Sequence, residues 1–221
     1  MISNILKYVS VSFVILLNIS CRTKPVPEHH WTTADSIRII NETLTYRAEA
    51  DSFFRFDPNS PFKREPAVHY DNIKWFPFDV RFCFQSKLYR YETPETVIVL
   101  GTKGEERKYL KYGYFTLNSD GAEHKLNVYK FTLSDPKRYA LYRNHLSVSF
   151  TDETTGKETY PVGRYVDVGD ENPDANYLYT INFNNAYNPY CAYNSTYTCA
   201  VPRKEDHLNF AVRAGEMKYH R

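Results

Sequence analysis

Apolar side chains follow two different periods along this chain, a helical period first and a period of two afterwards. From residue 33 onward, apolar residues recur every three or four positions, at Ile37, Ile40, Leu44 and Ala48. Thr33 or Asp35 can cap the first turn, and Asp57-Pro58 ends the segment. These features predict one amphipathic helix near the start of the folded part of the chain.

Beyond Trp75, apolar positions alternate with polar ones, which is the pattern of a half-buried strand. The alternation begins at Val80 and Phe82, and further strand signals follow at residues 97–100, 109–117, 125–131, 146–150, 177–183 and 208–212. Turn residues lie between them at Lys103-Gly104, Asp120-Gly121, Asp135-Pro136 and Thr155-Gly156. About seven short strands without a second helical pattern predict a mainly β domain, an antiparallel β-sandwich or a partly open barrel preceded by the helix.

Residues 1–20 have the composition of a lipoprotein signal peptide. Lys7 precedes an apolar stretch at residues 8–19, and the small residue Ser20 comes directly before Cys21. The stretch is too short to span a bilayer, which needs about 20 apolar residues. We therefore predict cleavage before Cys21, acylation of that cysteine and a polar tether over residues 21–30. Cleavage elsewhere is the alternative, because Leu17 lies four residues before Cys21, where such signals usually carry leucine three before.

An acylated exported protein is anchored to a membrane of the cell envelope, with its body facing the periplasm or the exterior. Residues 31–221 suffice for one domain and are few for two. Charge is nearly balanced, with 28 Lys and Arg against 26 Asp and Glu, and no basic stripe interleaves with aromatics. This composition argues against a nucleic acid as partner. The 20 tyrosines and 14 phenylalanines suit half-buried sheets and binding surfaces.

Two passages in the second half of the chain carry a family resemblance. The first covers residues 152–160 and runs into Gly163-Arg164-Tyr165. The second covers residues 182–194 and continues through Cys199 to residues 213–216. In this order, from about residue 76 to residue 216, the chain resembles the bacterial domain-of-unknown-function family 1684, DUF1684. The resemblance implies no activity, substrate or cofactor, because none is established for that family.

Cys191 and Cys199 lie close together in a chain predicted to enter an oxidising compartment. The simplest interpretation is a disulfide that closes a surface loop and contributes about 2–3 kcal/mol. The alternative is a metal site in which His207 joins the two thiolates, although zinc sites usually have closer cysteine pairs. We favour the disulfide and predict no metal and no cofactor. Cys83, among large apolar neighbours on a strand, is predicted to be a buried thiol.

Charged residues gather near the predicted strand ends of the second half. They can converge as one ion-pair network, made of Asp152, Glu158, Arg164, Arg213 and Glu216. Such networks are more often structural than catalytic. The carboxylates of residues 152–158 also admit calcium binding or acid–base chemistry, but they lack the alternating oxygen ligands of a calcium loop. We therefore interpret that segment as a solvated turn.

Residues 182–197 form a loop unusually rich in asparagine and tyrosine. Aromatic faces beside amide groups are what a sugar-binding surface needs, because rings stack on C–H faces and amides satisfy hydroxyls. Both residue types are also ordinary loop residues, so a purely structural loop is the commoner case.

No catalytic motif is present, since the sequence has no Gly-x-Ser-x-Gly elbow, no His-Glu-x-x-His pair and only eight glycines. We interpret the protein as a membrane-anchored binding or envelope-associated module for a glycan or small molecule. The alternative is a hydrolase-type enzyme using residues 152–164 and 182–216. The candidate binding residues are Asp152, Glu158, Tyr160, Arg164, Asn185, Tyr187, Asn188, Tyr193, Arg213 and Glu216.

Overall fold

The computed structural model describes residues 31–219. The predicted signal peptide at residues 1–20, the predicted acylation site Cys21 and the tether at residues 21–30 lie outside the described residues. No helix within residues 31–219 is both long enough and apolar enough to cross a membrane.

Helix α1 covers Thr33–Phe56, which confirms the predicted helix. The side chain of Thr32 caps it by accepting a hydrogen bond from the backbone N–H of Asp35. At the other end, the N–H of Asp57 bonds the carbonyl oxygen of Phe53. The helix stops there because the proline at position 58 disfavours helical conformation in the residue before it.

The face of α1 that packs on the domain differs from the predicted one. Ile39 and Thr43 are buried. Ile37 and Leu44, which belong to the predicted stripe, are more than half exposed. Thr43 Oγ1 accepts a hydrogen bond of 2.9 Å from Asn182 Nδ2, so a polar contact with a distant strand helps to set the rotation of the helix. The predicted stripe is wrong because apolar residues occur on both sides of α1, and periodicity alone does not choose between them.

Within residues 31–219, eight strands and a short second helix follow α1. The strands are β1 Cys83–Lys87, β2 Tyr89–Leu100, β3 Glu106–Ser119, β4 Ala122–Phe131, β5 Ser149–Asp152, β6 Arg164–Tyr165, β7 Leu178–Asn182 and β8 His207–Leu208. Helix α2, Pro136–Tyr142, lies between β4 and β5. The prediction of a mainly β domain with an N-terminal helix is confirmed.

The strands form three small sheets that share one core. The first has the antiparallel order β2-β3-β4, and the second pairs β1 with β7. The third has the order β6-β5-β8, in which β5 and β8 run parallel, unlike the other described strand pairs. Single bridges, Tyr129 with Ser147 and Tyr165 with Tyr187, connect these sheets to neighbouring segments. The described sheets do not close into a barrel.

The hairpin between β3 and β4 forms at the predicted turn Asp120-Gly121. Both residues have positive φ angles, 53° and 74°, as in a turn of type I′. Such a turn matches the natural twist of two antiparallel strands. It sets the pairing from Ser119 opposite Ala122 to Gly113 opposite Val128, and an irregularity between Lys111 and Gly113 then shifts the register so that Tyr109 lies opposite Phe131.

The sequence pattern does not predict two of the observed elements, α2 and β6. The Asp135-Pro136 pair, interpreted as a turn, instead starts α2: the Asp135 side chain accepts a hydrogen bond of 3.1 Å from the N–H of Arg138. Aspartate before proline is a recognised helix start, but seven residues are too few to show a clear apolar period. The two residues of β6 are likewise too few to alternate visibly.

Alternation along the strands separates the packed core from a second face. Leu146, Val148 and Phe150 are buried in the main core, whereas Ser147 and Ser149 between them are only half-buried. The core also contains Phe84, Phe115, Leu117, Leu126, Val128, Ile181 and Phe183. Successive side chains of a strand point to opposite faces. The face that carries Ser147 and Ser149 is therefore free to line a cleft.

Truncating Ile39 to alanine should destabilise the protein by about 2–5 kcal/mol, because a buried isoleucine leaves a cavity. The matched control is Ile37→Ala on the same helix, where the side chain is 55% exposed instead of 1%. There we expect a change within about 0.5 kcal/mol. Both substitutions change helix propensity alike, so their difference reports packing. Urea unfolding followed by circular dichroism measures both, and equal effects would contradict the observed docking face.

Candidate functional site

The face opposite the main core forms a cleft of about 590 Å³. Its wall passes through cross-strand neighbours: Val99 lies opposite Arg107, Tyr109 opposite Phe131, Tyr129 opposite Ser147, and Ser149 opposite Tyr165. All of these residues line the cleft. Directly paired residues of neighbouring strands share a face of the sheet. The pairing from β2 to β6 therefore builds one continuous wall.

Loops and α2 complete the cleft. The loops contribute Tyr187, Pro189, Tyr190 and residues 197–201 to its lining, and α2 contributes Arg138 and Tyr142. The N–H of Val201 bonds the carbonyl oxygen of Leu100 at 2.8 Å, which attaches the second loop to the edge of β2. The cleft is thus bounded by segments that are far apart in sequence.

Tyrosine dominates the lining of the cleft. Its tyrosines are Tyr109, Tyr129, Tyr142, Tyr165, Tyr187, Tyr190 and Tyr197. The hydroxyl of Tyr165 donates to the carbonyl oxygen of Ala200 at 2.6 Å. The rings of Tyr165 and Tyr187 pack edge to face, with centroids 5.8 Å apart. Held in this way, the rings offer large apolar faces with polar tips, which suits contact with a partly polar molecule.

Charged and titratable side chains also line the cleft, at Arg107, Arg138, His145, Asp167 and Asp206. Arg107 donates through Nη2 to the Glu105 carboxylate and to the carbonyl oxygen of Thr198 at 3.0 Å. The Asp206 carboxylate accepts hydrogen bonds from Asn127 Nδ2 at 2.7 Å and from the hydroxyl of Tyr129 at 2.8 Å. Burial raises the pKa of Asp206.

Asp152 and Arg164, two of the predicted site residues, form an ion pair in the interior. Arg164 Nη2 lies 3.0 Å from Asp152 Oδ2, and both side chains are at most 1% exposed. Arg164 also donates to the carbonyl oxygens of Val212 at 2.7 Å, Ala214, and Glu216 at 3.2 Å. We call this arrangement of Asp152, Arg164 and the three carbonyls the Arg164 clasp. It holds residues 212–216 against β5 and β6.

Glu216 follows the clasp and turns into the interior. Gly215 has a φ of 78°, and a Cβ there would lie 2.5 Å from the carbonyl oxygen of Ala186, so glycine is required at this turn. The Glu216 carboxylate accepts hydrogen bonds from the N–H of Asn188 at 2.9 Å and from the hydroxyl of Tyr193. Burial raises the pKa of Glu216 to about 7, although both hydrogen bonds oppose the rise.

The remaining predicted site residues have other surroundings. Glu158 pairs with Arg213 at 3.0 Å near the surface. The Tyr160 hydroxyl lies 3.7 Å from the Cys191 sulfur. The amide oxygen of Asn185 is buried with no hydrogen-bond partner among residues 31–219. Of the ten candidate binding residues, Tyr187 is the one that the described structure places in the cleft wall.

The asparagine side chains of residues 182–197 mainly stabilise the fold. Asn182 reaches Thr43 of α1, and Asn194 Nδ2 donates to the carbonyl oxygen of Pro61 at 3.0 Å. Because these amides are engaged within the protein, they are not free to meet sugar hydroxyls. What this loop supplies to the cleft is chiefly its tyrosine rings.

Cys191 and Cys199 are adjacent thiols, with the N–H of Cys191 3.3 Å from the Cys199 sulfur. The hydrogen bond between the thiols lowers the pKa of Cys191 and raises that of Cys199. His207, the third ligand of the alternative metal site, instead contacts Thr151 at 3.0 Å. No group of three or more His, Cys, Asp or Glu within residues 31–219 is arranged to hold a metal ion. Cys83 is buried as predicted, which raises its pKa to about 12.

Comparison with known proteins gives the family. The sequence profile of DUF1684, described as a protein of unknown function, matches residues 68–217. The chain belongs to the DUF1684 family. This DUF1684 protein is also similar to an uncharacterized protein of Haloarcula marismortui, solved by solution NMR, with 28% sequence identity and a TM-score of 0.61. That match covers 84% of this chain and 97% of the other. No curated protein matches the sequence.

Sequence reasoning did not find the cleft of this DUF1684 protein. Its residues come from strands β2 to β6, from α2 and from the loops between them, and each segment alone resembles an ordinary strand or turn. The available signal was the tyrosine at alternate strand positions, as at Tyr109 and Tyr129. Tyr109 and Tyr129 are indeed buried beside Val97 and Val99, and they also line the cleft, which sequence does not show because it does not reveal which face of a sheet remains open.

The buried Glu216 should make stability depend on pH. Its folded pKa of about 7 exceeds the ordinary 4.5, so its stabilising contribution is complete below about pH 4.5 and declines as pH rises to 7. At about 1.4 kcal/mol per pKa unit, the decline is on the order of 3 kcal/mol. Urea unfolding of the natural protein and of Glu216→Gln should therefore show a stability difference that shrinks between pH 4.5 and 7.5.

Other titrating groups cancel in that difference, because both proteins contain them. Because the amide cannot titrate, its effect on the stability of the variant does not change with pH. A stability difference that stays constant with pH would contradict the raised pKa of Glu216.

Proposed function

We propose that this DUF1684 protein is a binding module that holds a small organic ligand in the tyrosine-lined cleft. The observation that carries the proposal is a cleft of about 590 Å³ on the open face of the sheets, lined by seven tyrosines. Ligand sites are typically concave, about 300–1,000 Å³ in volume, and mostly apolar with a few placed polar groups. The cleft has this size and this composition.

The lining favours a ligand with a ring or another flat apolar body. Tyr109, Tyr129 and Tyr165 lie on neighbouring strands, so their rings are presented by a rigid scaffold. Aromatic faces contact planar rings and other apolar surfaces well. The structure gives a glycan less support than the sequence does, because the amide groups of Asn182 and Asn194 are engaged within the fold.

The alternative function, a hydrolase, has less support in the structure than ligand binding in the cleft. That alternative relied on Asp152, Arg164 and Glu216, which are buried and occupied by contacts within the protein. His145 lines the cleft and lies 3.7 Å from Asp170, but it makes no hydrogen bond to a hydroxyl or thiol of residues 31–219. A general base needs such reach to a nucleophile or to the substrate.

In this proposal the module is exported and anchored to a membrane of the cell envelope through acylated Cys21. The support is the apolar stretch at residues 8–19 followed by Ser20 and Cys21. The tether at residues 21–30 would span at most about 35 Å when fully extended. The cleft would therefore work close to the membrane surface.

Export also leads us to propose a disulfide between Cys191 and Cys199. The support is the contact between the two thiols in the structure. Because Cys199 lines the cleft, the disulfide would brace one part of its wall. Cys83 is buried away from this pair and is expected to stay a thiol.

Mass spectrometry of the protein isolated from its native envelope tests this placement. We expect Cys21 as the first residue, carrying acyl chains, and a body mass lower by two hydrogen atoms for the disulfide. Cys21→Ala should move the protein from the membrane fraction to the soluble fraction. An unacylated first residue other than Cys21 would contradict the anchor, and alkylation of Cys191 without prior reduction would contradict the disulfide.

Binding of a ring-containing dye tests the cleft. We expect N-phenyl-1-naphthylamine, or its sulfonated analogue 8-anilinonaphthalene-1-sulfonate, to bind one-to-one with increased fluorescence. Ser147→Phe, which places a ring in the cleft, should weaken binding by about tenfold or more, because the bulk removes the ligand's space. Ser52→Phe, at an exposed position of α1, is the matched control and should leave binding unchanged. Binding by neither dye, or equal binding in both variants, would overturn the proposed function.

A further inference from the structure

Arg107 is the most deeply placed cation of the cleft. Its side chain is 15% exposed, and it extends from β3 beside the paired residue Val99. Through Nη2 it donates to Glu105 and to the carbonyl oxygen of Thr198. The guanidinium also reaches the side chain of Tyr109. Because a guanidinium carries five N–H groups, these contacts leave donors that an oxyanion in the cleft can accept.

Arg138 brings a second guanidinium to the same part of the cleft. It extends from α2 and lies 3.4 Å from Asp135, with 43% of its side chain exposed. An ion pair this exposed is worth little, so the side chain can turn toward a ligand. Burial raises the pKa of the nearby Tyr109, and the positive charges of Arg107 and Arg138 oppose that rise. Both cations therefore act at the Tyr109 hydroxyl.

Asp206 and Asp167, the two carboxylates that line the cleft, form no ion pair with Arg107 or Arg138, which pair with Glu105 and Asp135 instead. Asp206 is engaged by Asn127, Tyr129 and the N–H of Arg203. Asp167 lies near Tyr187, whose pKa is raised by burial first and then by the Asp167 charge. Both guanidinium groups thus lie beside Tyr109, each with one carboxylate partner, whereas Asp167 lies near Tyr187.

We propose that Arg107, Tyr109 and Arg138 form an anion subsite, so that the ligand of this cleft is an organic acid with a ring-shaped or apolar body. The inference rests on the proposed function and deepens it. The tyrosine rings would contact the body of the ligand, while the guanidinium groups would hold its carboxylate or phosphate. Charge-assisted hydrogen bonds from arginine to such oxyanions are stronger than neutral ones, which gives the subsite its selectivity.

The two dyes test the subsite because they differ by a single sulfonate. In the natural protein, the sulfonated dye should bind about tenfold tighter or better than the neutral dye, the gain expected for one charge-assisted hydrogen bond. Arg138→Gln and Arg107→Gln should each weaken binding of the sulfonated dye more than binding of the neutral dye, so that the preference falls. Arg107→Lys, which keeps the charge, should retain part of the preference. Arg81→Gln, at a side chain 84% exposed and away from the cleft lining, is the matched control and should change nothing.

These measurements distinguish failure of the anion subsite from failure of the proposed binding function. Equal affinity for both dyes in the natural protein would overturn the anion subsite while the cleft remains a binding site. A sulfonate preference that survives both glutamine variants, or that Arg81→Gln also removes, would overturn it as well. Binding of neither dye would overturn the proposed function itself. Arg138 is partly exposed, so its variant keeps the test valid even if Arg107→Gln weakens the fold.

Displacement of the bound sulfonated dye separates the possible ligand acids. Phenylacetate displacing it better than phenyl phosphate would support the subsite as a carboxylate site, and the reverse order would support it as a phosphate site. Displacement by neutral glucose with no effect of either acid would overturn the proposal. High salt should weaken the binding of the sulfonated dye more than that of the neutral one.

Discussion

The buried ion pair between Asp152 and Arg164 is the contact on which the site depends. Arg164 donates hydrogen bonds to the Asp152 carboxylate and to the carbonyl oxygens of Val212, Ala214 and Glu216. Those carbonyls belong to a segment outside β1–β8, which pairs with Trp75 through a single bridge at Glu216, so the guanidinium supplies much of the hydrogen bonding of this segment. Removing one partner of such a pair leaves an uncompensated charge in the interior and costs about 3–5 kcal/mol. The clasp also fixes Glu216, which in turn holds Asn188 and Tyr193 behind the cleft wall.

A second constraint is the period of two along each strand. Because neighbouring residues face opposite sides, a strand that buries Leu146, Val148 and Phe150 must present Ser147 and Ser149 elsewhere. The first set builds the core, and the second builds the cleft. One set of hydrogen-bonded strands thus supports the packed core on one face and lines the cleft on the other. The tyrosines suit the second face because each combines a large apolar ring with a hydroxyl that tolerates water.

Much of the fold could be predicted from sequence, while most of the site could not. Helix α1, the long strands β3 and β4, the Asp120-Gly121 turn and the burial of Cys83 all follow from local patterns. Helix α2 had a local signal in Asp135-Pro136, but it was too short to outweigh the interpretation as a turn. The charged residues singled out from the sequence do come together in part, at Asp152 with Arg164. Their role is to hold the C-terminal segment, because they lie in the interior rather than in the cleft.

By itself, the sequence determined the family, the mainly β class, the single leading helix and most strand positions, because these depend on residues close together in the chain. Only the tertiary structure decided which face of α1 docks, how Arg164 is used and where the open face of the sheets lies. These features depend on contacts across long sequence separations, such as Asn182 with Thr43 and Tyr129 with Ser147. Local patterns do not encode such pairings, since several packings satisfy the same alternation, and the folded chain selects the one that buries its apolar groups and pairs its buried charges.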